Sequence, residues 1–151
     1  MIKFILAGLI ASTAIVNTAN ADFSEIGKFG TPANNPSAEE TSAEIIAATA
    51  DGMKLVYSDS PANALGMIDI TDPANPKPLG SMDLGGEPTS VAIKNGKAYV
   101  GINTSKNYVE PSGHLLVVDI ASGKEVTKVE LGGQPDSVAV SPDGTFVAIA
   151  I

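Results

Sequence analysis

Leu-Gly-Gly-Glu-Pro-Thr-Ser-Val-Ala-Ile forms residues Leu84 to Ile93, and Leu-Gly-Gly-Gln-Pro-Asp-Ser-Val-Ala-Val forms residues Leu131 to Val140. The second stretch begins 47 positions after the first. A repeat of roughly 40–50 residues, with glycine and proline between short apolar strands, is typical of a β-propeller, in which each repeat forms one four-stranded blade. The repeat therefore predicts an all-β fold, a β-propeller fragment of about two and a half four-stranded blades.

The repeat divides the chain into an N-terminal region and a partial propeller. We predict a signal peptide over residues 1–21, a lead-in segment over residues 22–41 and the partial β-propeller over residues 42–151. The blades are predicted at residues 42–88, 89–135 and 136–151, and the last is incomplete because the sequence stops within a strand. We therefore expect this chain to be the opening part of a larger protein.

Turn signals separate the predicted strands within each blade. Asp51-Gly52 and Asn95-Gly96 each stand between apolar runs, and glycine readily adopts the positive φ that a tight hairpin turn requires. The run from Leu115 to Ile120 is apolar except for Asp119, which predicts a strand buried on both faces of its sheet. Such a blade needs a neighbouring blade on each side.

The first residues have the pattern of an export signal. Lys3 precedes the apolar run from Phe4 to Val16, and Ala19-Asn20-Ala21 follows as a small-residue cleavage site. A membrane-spanning helix needs roughly 20 apolar residues, so this run is too short to be an anchor. We predict cleavage after Ala21 and release into the periplasm or the medium, with no membrane span in the mature chain.

Composition excludes several classes of function. The net charge is −8, the sequence has no arginine, and its lysines are scattered along the chain. Nucleic-acid binding requires a basic surface that neutralises phosphates, so no nucleic-acid partner is expected. The absence of cysteine excludes disulfides and thiolate metal sites. The acidic balance itself is most simply a matter of solubility.

No catalytic motif is present in the sequence. His114 is the only histidine, and a Ser-His-Asp hydrolase would need it as the general base. We interpret it instead as an exposed or capping residue where a loop meets a strand. Asp69 and Asp119 recur at one position of the repeat, and we interpret both as structural residues that accept hydrogen bonds from the following turn.

Carboxylates give the one candidate metal site. Glu44, Glu87 and Asp136 precede or begin the first strand of successive blades, and in a propeller these positions line the mouth of the central channel. Oxygen ligands of this kind suit a hard cation such as Ca²⁺. The alternative is a solvated rim of a negatively charged protein, with no cofactor.

Five phrases resemble one family of exported bacterial proteins. They are residues 40–46 (Glu-Thr-Ser-Ala-Glu-Ile-Ile), 55–61 (Leu-Val-Tyr-Ser-Asp-Ser-Pro), 68–73 (Ile-Asp-Ile-Thr-Asp-Pro), 86–92 (Gly-Glu-Pro-Thr-Ser-Val-Ala) and 133–139 (Gly-Gln-Pro-Asp-Ser-Val-Ala). They are similar to the N-terminal propeller of proteins named for an esterase-like activity of phytase, with relatives called alkaline phosphatase-like or choice-of-anchor type I. Propellers of the LVIVD and YVTN types are similar more loosely. The resemblance implies a larger propeller with a phytase-like or phosphatase-like catalytic region farther along.

Two functions follow from these observations. The first is an exported propeller segment that serves as a binding or interaction scaffold for a protein or small-molecule ligand, without catalytic machinery of its own. The second, implied by the resemblance alone, is the N-terminal part of a phosphoester hydrolase. We also expect this chain to self-associate, because the apolar stretch from Phe146 to Ile151 leaves a strand edge unpaired.

Overall fold

A computed structural model describes residues 24–151 as ten strands in three antiparallel sheets. The predicted signal peptide lies outside these residues. The strands of the first sheet, blade 1, are β1 (Ala43–Ala48), β2 (Lys54–Asp59), β3 (Ala64–Asp69) and β4 (Lys77–Asp83). Those of blade 2 are β5 (Glu87–Lys94), β6 (Lys97–Asn103), β7 (Gly113–Asp119) and β8 (Lys124–Leu131). Blade 3 consists of β9 (Ser137–Val140) and β10 (Val147–Ala150).

Within each blade the strands lie in sequence order, and each pairs with the next through a hairpin. The β5–β6 turn has Asn95 at φ 50° and Gly96 at φ 70°, which is the geometry that an Asn-Gly hairpin favours. The predicted turn signal is therefore confirmed. First strands of successive blades are neighbours, since β5 lies against β1 on one side and β9 on the other. This arrangement confirms the predicted propeller fragment.

Two prolines lie inside strands rather than in loops. Pro88 of β5 pairs with Ile102 of β6, next to a register shift, and Pro78 of β4 pairs with Ile68 of β3. Both β4 and β5 are edge strands of their sheets, and a proline on an edge costs the ladder no essential donor. β5 therefore includes Pro88 and begins at Glu87.

Apolar side chains fill the space between the blades. Those between blades 1 and 2 form the larger cluster, with Val56, Leu65, Leu84, Val91, Val100, Ile102, Leu116 and Val118 among its members. Between blades 2 and 3 a smaller cluster contains Leu115, Val117 and Val138. Alternate residues of β7 thus face opposite blades, which confirms the prediction of a strand buried on both faces.

The lead-in segment packs against blade 1 on the face that is turned away from blade 2. A 3₁₀ turn at Thr31–Ala33 brings Asn34 onto this face, where its amide nitrogen donates to the Tyr57 hydroxyl at 3.0 Å and to the Met67 carbonyl at 2.8 Å. Its amide oxygen accepts from the Gly80 backbone at 2.9 Å. One buried side chain therefore joins the lead-in to β2, β3 and β4.

Tyr57 reaches Asn34 by crossing over a glycine. A Cβ atom at Gly66 would lie 2.1 Å from the Tyr57 ring, so only glycine leaves room for the ring at this point. Tyr57 is fully buried as a result. The lead-in segment, which contains Asn34, therefore covers the centre of the blade 1 face that carries Tyr57.

The connections between strands lie at two opposite ends of the sheets. We call one the loop end, and it carries residues 60–63, 84–86, 104–112 and 132–136. The opposite one, which we call the hairpin end, carries residues 49–53, 70–76, 95–96, 120–123 and 141–146. The connection 104–112 is longer than 60–63, its equivalent in blade 1, and it lies at the loop end.

Candidate binding site at the loop end

The three predicted metal ligands all lie at the loop end, each beside a first strand of a blade. Glu44 is in β1 and its carboxylate accepts a 2.6 Å hydrogen bond from the Ser60 hydroxyl. Glu87 begins β5, and Asp136 directly precedes β9. All three are exposed. That these residues line a channel mouth stays a prediction.

These carboxylates do not form a metal-binding cluster within residues 24–151. No group of three or more His, Cys, Asp or Glu side chains in this range is arranged to hold a metal ion. The Glu87 carboxylate instead accepts from the Asn103 amide at 2.9 Å, and the backbone amide of Asp136 donates to Ala150 at 2.9 Å. Calcium binding by Glu44, Glu87 and Asp136 stays a prediction.

Hydrogen bonds within the loop 104–112 give it a fixed shape. Ser105 and Ser112 bond reciprocally: the Ser112 amide donates to the Ser105 hydroxyl at 2.9 Å, and that hydroxyl donates to the Ser112 carbonyl at 3.1 Å. At the tip, the side-chain oxygen of Asn107 accepts from the amides of Val109 and Glu110, both at 2.9 Å. The loop is thus tied at its base and at its turn.

The tip of this loop exposes two apolar side chains. Tyr108 is 104% exposed and Val109 is 87% exposed. The sequence pattern of this segment indicates no more than a connection between two strands. The one local signal available was a tyrosine followed by a β-branched residue among Asn, Ser and Lys, at a place where loops normally lack large apolar groups.

A cleft of about 420 Å³ lies under the loop and opens at the loop end. Its lining is polar apart from the tyrosine ring, and consists of Glu87, Asn103, Ser105, Lys106, Asn107, Tyr108 and Gln134. Residues of the long loop, of β5, of β6 and of the linker into blade 3 meet here. Asn103 is held on both sides, since its amide donates to Glu87 and its oxygen accepts from the Ser105 amide at 2.9 Å.

A second cleft lies between the lead-in segment and the loop end of blade 1. Its volume is about 730 Å³, and its walls carry the carboxylates of Glu39, Glu40 and Asp83. Pro61 and Asn63 of the short β2–β3 connection complete one side. The loop end therefore has two concave surfaces, one acidic and one of mixed polarity.

His114 is buried, which corrects the prediction of an exposed or capping loop residue. β7 begins one residue earlier, at Gly113, so His114 is inside the sheet, opposite Ile102 on one side and Glu130 on the other. Its exposure is 6%. Burial and the nearby Lys128 ammonium lower the pKa of His114, and Glu130 and Glu125 only partly oppose this. The only histidine in the sequence is thus a neutral member of the blade core rather than a surface base.

Aspartates at the hairpin end fix the turns that follow them. The Asp119 carboxylate accepts from the Ser122 hydroxyl at 2.7 Å and from its backbone amide at 2.8 Å, and Asp69 accepts from Thr71 in the same way. The structural role predicted for Asp69 and Asp119 is confirmed. Because these bonds favour the charged form, the pKa of each carboxyl is lowered by its Thr or Ser partner.

Asp143 is the strongest example of such a turn. Its carboxylate accepts from the hydroxyls of Ser141 at 2.7 Å and Thr145 at 2.8 Å. These two bonds, followed by that of the Thr145 amide, lower the pKa of Asp143 to about 2. The aspartates at the hairpin end thus close turns. A cleft of about 510 Å³ also opens at this end between blades 1 and 2, and its lining includes Asp51, Lys54 and Lys94.

Three consecutive antiparallel sheets with adjacent first strands define a partial β-propeller. The chain belongs to the choice-of-anchor I domain family, whose family model matches residues 44–151, from β1 through β10. Domains of this family are typical of exported proteins. No helix within the described residues is long and apolar enough to cross a membrane.

Solved structures share the fold at low sequence identity. Hydrazine synthase of Kuenenia stuttgartiensis is similar with a TM-score of 0.60 and 21% identity over 71% of this chain and 29% of that one. A functionally unknown protein from Desulfotomaculum acetoxidans has a TM-score of 0.54 and 16% identity over 64% of this chain and 29% of that one.

A luciferin-regenerating enzyme has a TM-score of 0.51 and 17% identity over 69% of this chain and 40% of that one. The chain thus spans from 29% to 40% of the lengths of these three structures. No curated protein matches it in sequence.

Proposed function

We propose that the chain is an exported β-propeller scaffold that binds its ligand at the loop end, without catalytic machinery of its own. The observation that carries this proposal is the loop 104–112, which its own hydrogen bonds hold in place while Tyr108 and Val109 project into solvent. Ordering a loop costs conformational entropy, and exposing large apolar side chains leaves their surface in water. The ordered loop and the exposed apolar side chains therefore do not stabilise the folded chain by themselves. Contact with a ligand would offset the entropy cost and cover the apolar surface.

Charge at the loop end limits the class of ligand. Lys106 is the only lysine on the connections of this end, whereas five lysines lie at the strand ends that border the hairpin end: Lys54, Lys77, Lys94, Lys97 and Lys124. Carboxylates at the loop end include Glu39, Glu40, Glu44, Asp83, Glu87, Glu110 and Asp136. A polyanion such as phytate is repelled by this end, because no cluster of cations is present there to neutralise its phosphates.

Export through a cleaved signal peptide is part of this proposal. Cleavage after Ala21 would release the chain into the periplasm or the medium. Expression of the full chain in a Gram-negative host, followed by mass measurement of the protein from the periplasm, tests this account. A protein that keeps residues 1–21 would contradict it.

The competing proposal, the N-terminal part of a phytase-like phosphoester hydrolase, is supported by the resemblance alone. Burial of His114 in β7 removes the only imidazole from the role of surface base. Assays of the full chain with p-nitrophenyl phosphate and with phytate separate the two proposals. We expect no turnover above buffer, and specific hydrolysis would favour the hydrolase.

Calcium binding at the channel mouth is a separate proposal, supported by the placement of Glu44, Glu87 and Asp136 beside three successive first strands. Oxygen ligands from neighbouring strands are the type that Ca²⁺ prefers. Calorimetric titration with CaCl₂ tests it, with the variant that combines Glu87→Ala and Asp136→Ala. Heat that persists unchanged in the variant would place the ion elsewhere.

The scaffold proposal is tested by mapping ligands onto the chain. Amide shifts in NMR spectra of the full chain are followed with four probes: neutral disaccharides, heparin, spermidine and CaCl₂. We expect at least one probe to shift amides at the loop end. Replacing residues 105–111 by Asn-Gly, which keeps the Thr104–Ser112 pairing and closes a tight turn, should remove this response.

A matched control changes exposed apolar surface at the other end. Phe146 is 63% exposed at the hairpin end, and Phe146→Ala should leave the loop-end response unchanged. Shifts confined to the hairpin end, or no response to any of the four probes, would contradict the proposed function.

A further inference from the structure

We infer that the cleft under the loop 104–112 is a saccharide-binding site, in which Tyr108 supplies the stacking surface and Glu87, Lys106 and Gln134 supply hydrogen bonds. The inference rests on the proposed function, because it names the class of ligand for the loop end. It begins from the shape and chemistry of the cleft, whose volume of about 420 Å³ is within the range of small-molecule sites, roughly 300–1,000 Å³.

This cleft contains polar groups that internal hydrogen bonds hold in place, and others that can form hydrogen bonds with a ligand. Asn103 is held by Glu87 and by the Ser105 amide, so Glu87 is oriented with one carboxylate oxygen engaged and the other available. Asn107 uses its oxygen within the loop and keeps its amide nitrogen as a donor. Within residues 24–151, Lys106 and Gln134 make no side-chain hydrogen bond or ion pair. The cleft therefore offers both acceptors and donors.

A hydroxyl group both donates and accepts hydrogen bonds, so it can satisfy a carboxylate and an amide in the same site. Charge also favours a neutral ligand, since Glu87 and Lys106 are the only charged side chains of the lining and have opposite signs. Glu87 repels an anion and Lys106 repels a cation, whereas neither residue repels a neutral polyol. The chain as a whole has a net charge of −8, so a charge-balanced cleft is distinct from its surroundings.

Tyr108 supplies the part of the site that is selective for a ring. Its side chain is 104% exposed on a loop whose turn is fixed by Asn107. A tyrosine offers a large, rigid surface at low cost in side-chain entropy, and its hydroxyl keeps a polar group at the edge. Sugar rings have one face of C–H groups and a rim of hydroxyls, which matches an aromatic ring above a polar cleft.

The experiment measures binding of three neutral disaccharides, maltose, cellobiose and N,N′-diacetylchitobiose, to the full chain by saturation-transfer NMR and calorimetry. We expect millimolar or tighter binding of at least one of them. Tyr108→Ala should weaken it by about tenfold, the order expected when an aromatic anchor is removed. Gln134→Ala should weaken it by a smaller factor, and Tyr108→Phe should retain most of it because the ring remains.

Phe146→Ala is the matched control, because Phe146 is an exposed aromatic residue at the hairpin end and does not line the cleft. It should bind as the unchanged chain does. Equal binding by Tyr108→Ala, or no binding of any disaccharide, overturns the inference. If spermidine or CaCl₂ shifts loop-end amides while no disaccharide does, this inference fails and the scaffold proposal stands. Shifts of these amides by heparin would contradict the repulsion of polyanions by this end. If no probe binds at the loop end, both fail.

Discussion

The Thr89 hydroxyl in the first strand of blade 2 donates a 2.7 Å hydrogen bond to the carbonyl of Pro135, which precedes the first strand of blade 3. At the previous junction, the Ser60 hydroxyl of blade 1 lies 2.9 Å from the carbonyl of Pro88 and shares its single proton between this oxygen and the Glu44 carboxylate. Both proline side chains are fully buried. Each junction between blades is therefore joined by a hydroxyl of one blade and a proline carbonyl of the next.

Removing the Thr89 hydroxyl should loosen the second junction. Thr89→Val keeps the shape of the side chain and deletes the donor, and we expect the free energy of unfolding to fall by about 1–2 kcal/mol. Urea denaturation measures the change. Thr127→Val is the control, because Thr127 is exposed on β8 and should change stability by less than about 0.5 kcal/mol. Equal effects of the two substitutions would show that the bond contributes nothing.

Asn34 should be essential for holding the lead-in on blade 1. Asn34→Ala removes the bonds to Tyr57, Met67 and Gly80 and leaves buried groups without partners, so we expect a loss of about 2–3 kcal/mol and faster proteolysis of the lead-in. Asn35→Ala, whose side chain bonds only to the exposed Ser37, is the neighbouring control. A lead-in that stays protected in Asn34→Ala would contradict this account.

Acid should destabilise the turn that Asp143 closes. Its pKa in the folded chain is about 2, below the value of roughly 3.9 for an unfolded aspartate. The stabilisation is therefore complete above about pH 5 and is lost as the pH falls through the folded pKa. Asp143→Asn should flatten the dependence of the unfolding midpoint between about pH 5 and 2. Thr145→Val, which removes one donor and keeps the carboxylate, should flatten it partly; an unchanged slope in both would exclude these bonds as the cause.

His114 should produce a second pH dependence in a higher range. Burial lowers its pKa in the folded chain, so below the unfolded value of about 6.5 the unfolded chain binds the extra proton more readily. Stability should be full above that value and should fall as the pH decreases towards the folded pKa. His114→Gln should remove the difference between urea midpoints at about pH 7.5 and 5.5, a range above the titration of ordinary carboxylates. A difference that persists in His114→Gln would assign it to other groups.

The edge of blade 3 should drive association of the chain. Among the described strands β10 pairs only with β9, and Phe146 and Ile151 beside it are 63% and 67% exposed. A lysine on a free edge opposes pairing between chains. Ala148→Lys should therefore shift the chain towards monomer in light scattering, whereas Thr145→Lys, which adds the same charge in the turn, should not. Monomer at all concentrations before any substitution would contradict the expectation.

Local signals in the sequence predict most of this fold. The Asn95-Gly96 turn, the doubly buried β7 and the roles of Asp69 and Asp119 depend on residues that are near one another in the chain, and all agree with the structure. Hairpins fix register through such short-range chemistry. The repeat then orders the blades.

Contacts that depend on distant residues were not predictable in the same way. Asn34 lies in a segment of loop composition, and its partners Tyr57 and Gly80 are 23 and 46 positions away. The exposed position predicted for His114 is wrong, because Gly113 has the composition of a loop end but pairs with Asn103 and extends the strand. The cleft beneath Tyr108 combines residues from the second blade and the linker to the third, which no single stretch of sequence reveals.

The two prolines at the blade junctions have a consequence for how such proteins change over evolutionary time. A unit that starts at Leu84 contains Pro88, which receives a hydroxyl from the sheet before it, and Thr89, which offers one to the sheet after it. Tandem duplication of the corresponding gene segment would therefore supply both the hydroxyl donor and the proline carbonyl acceptor at every new junction between blades. A propeller built from such units can gain or lose blades and keep the same hydrogen bond at each junction.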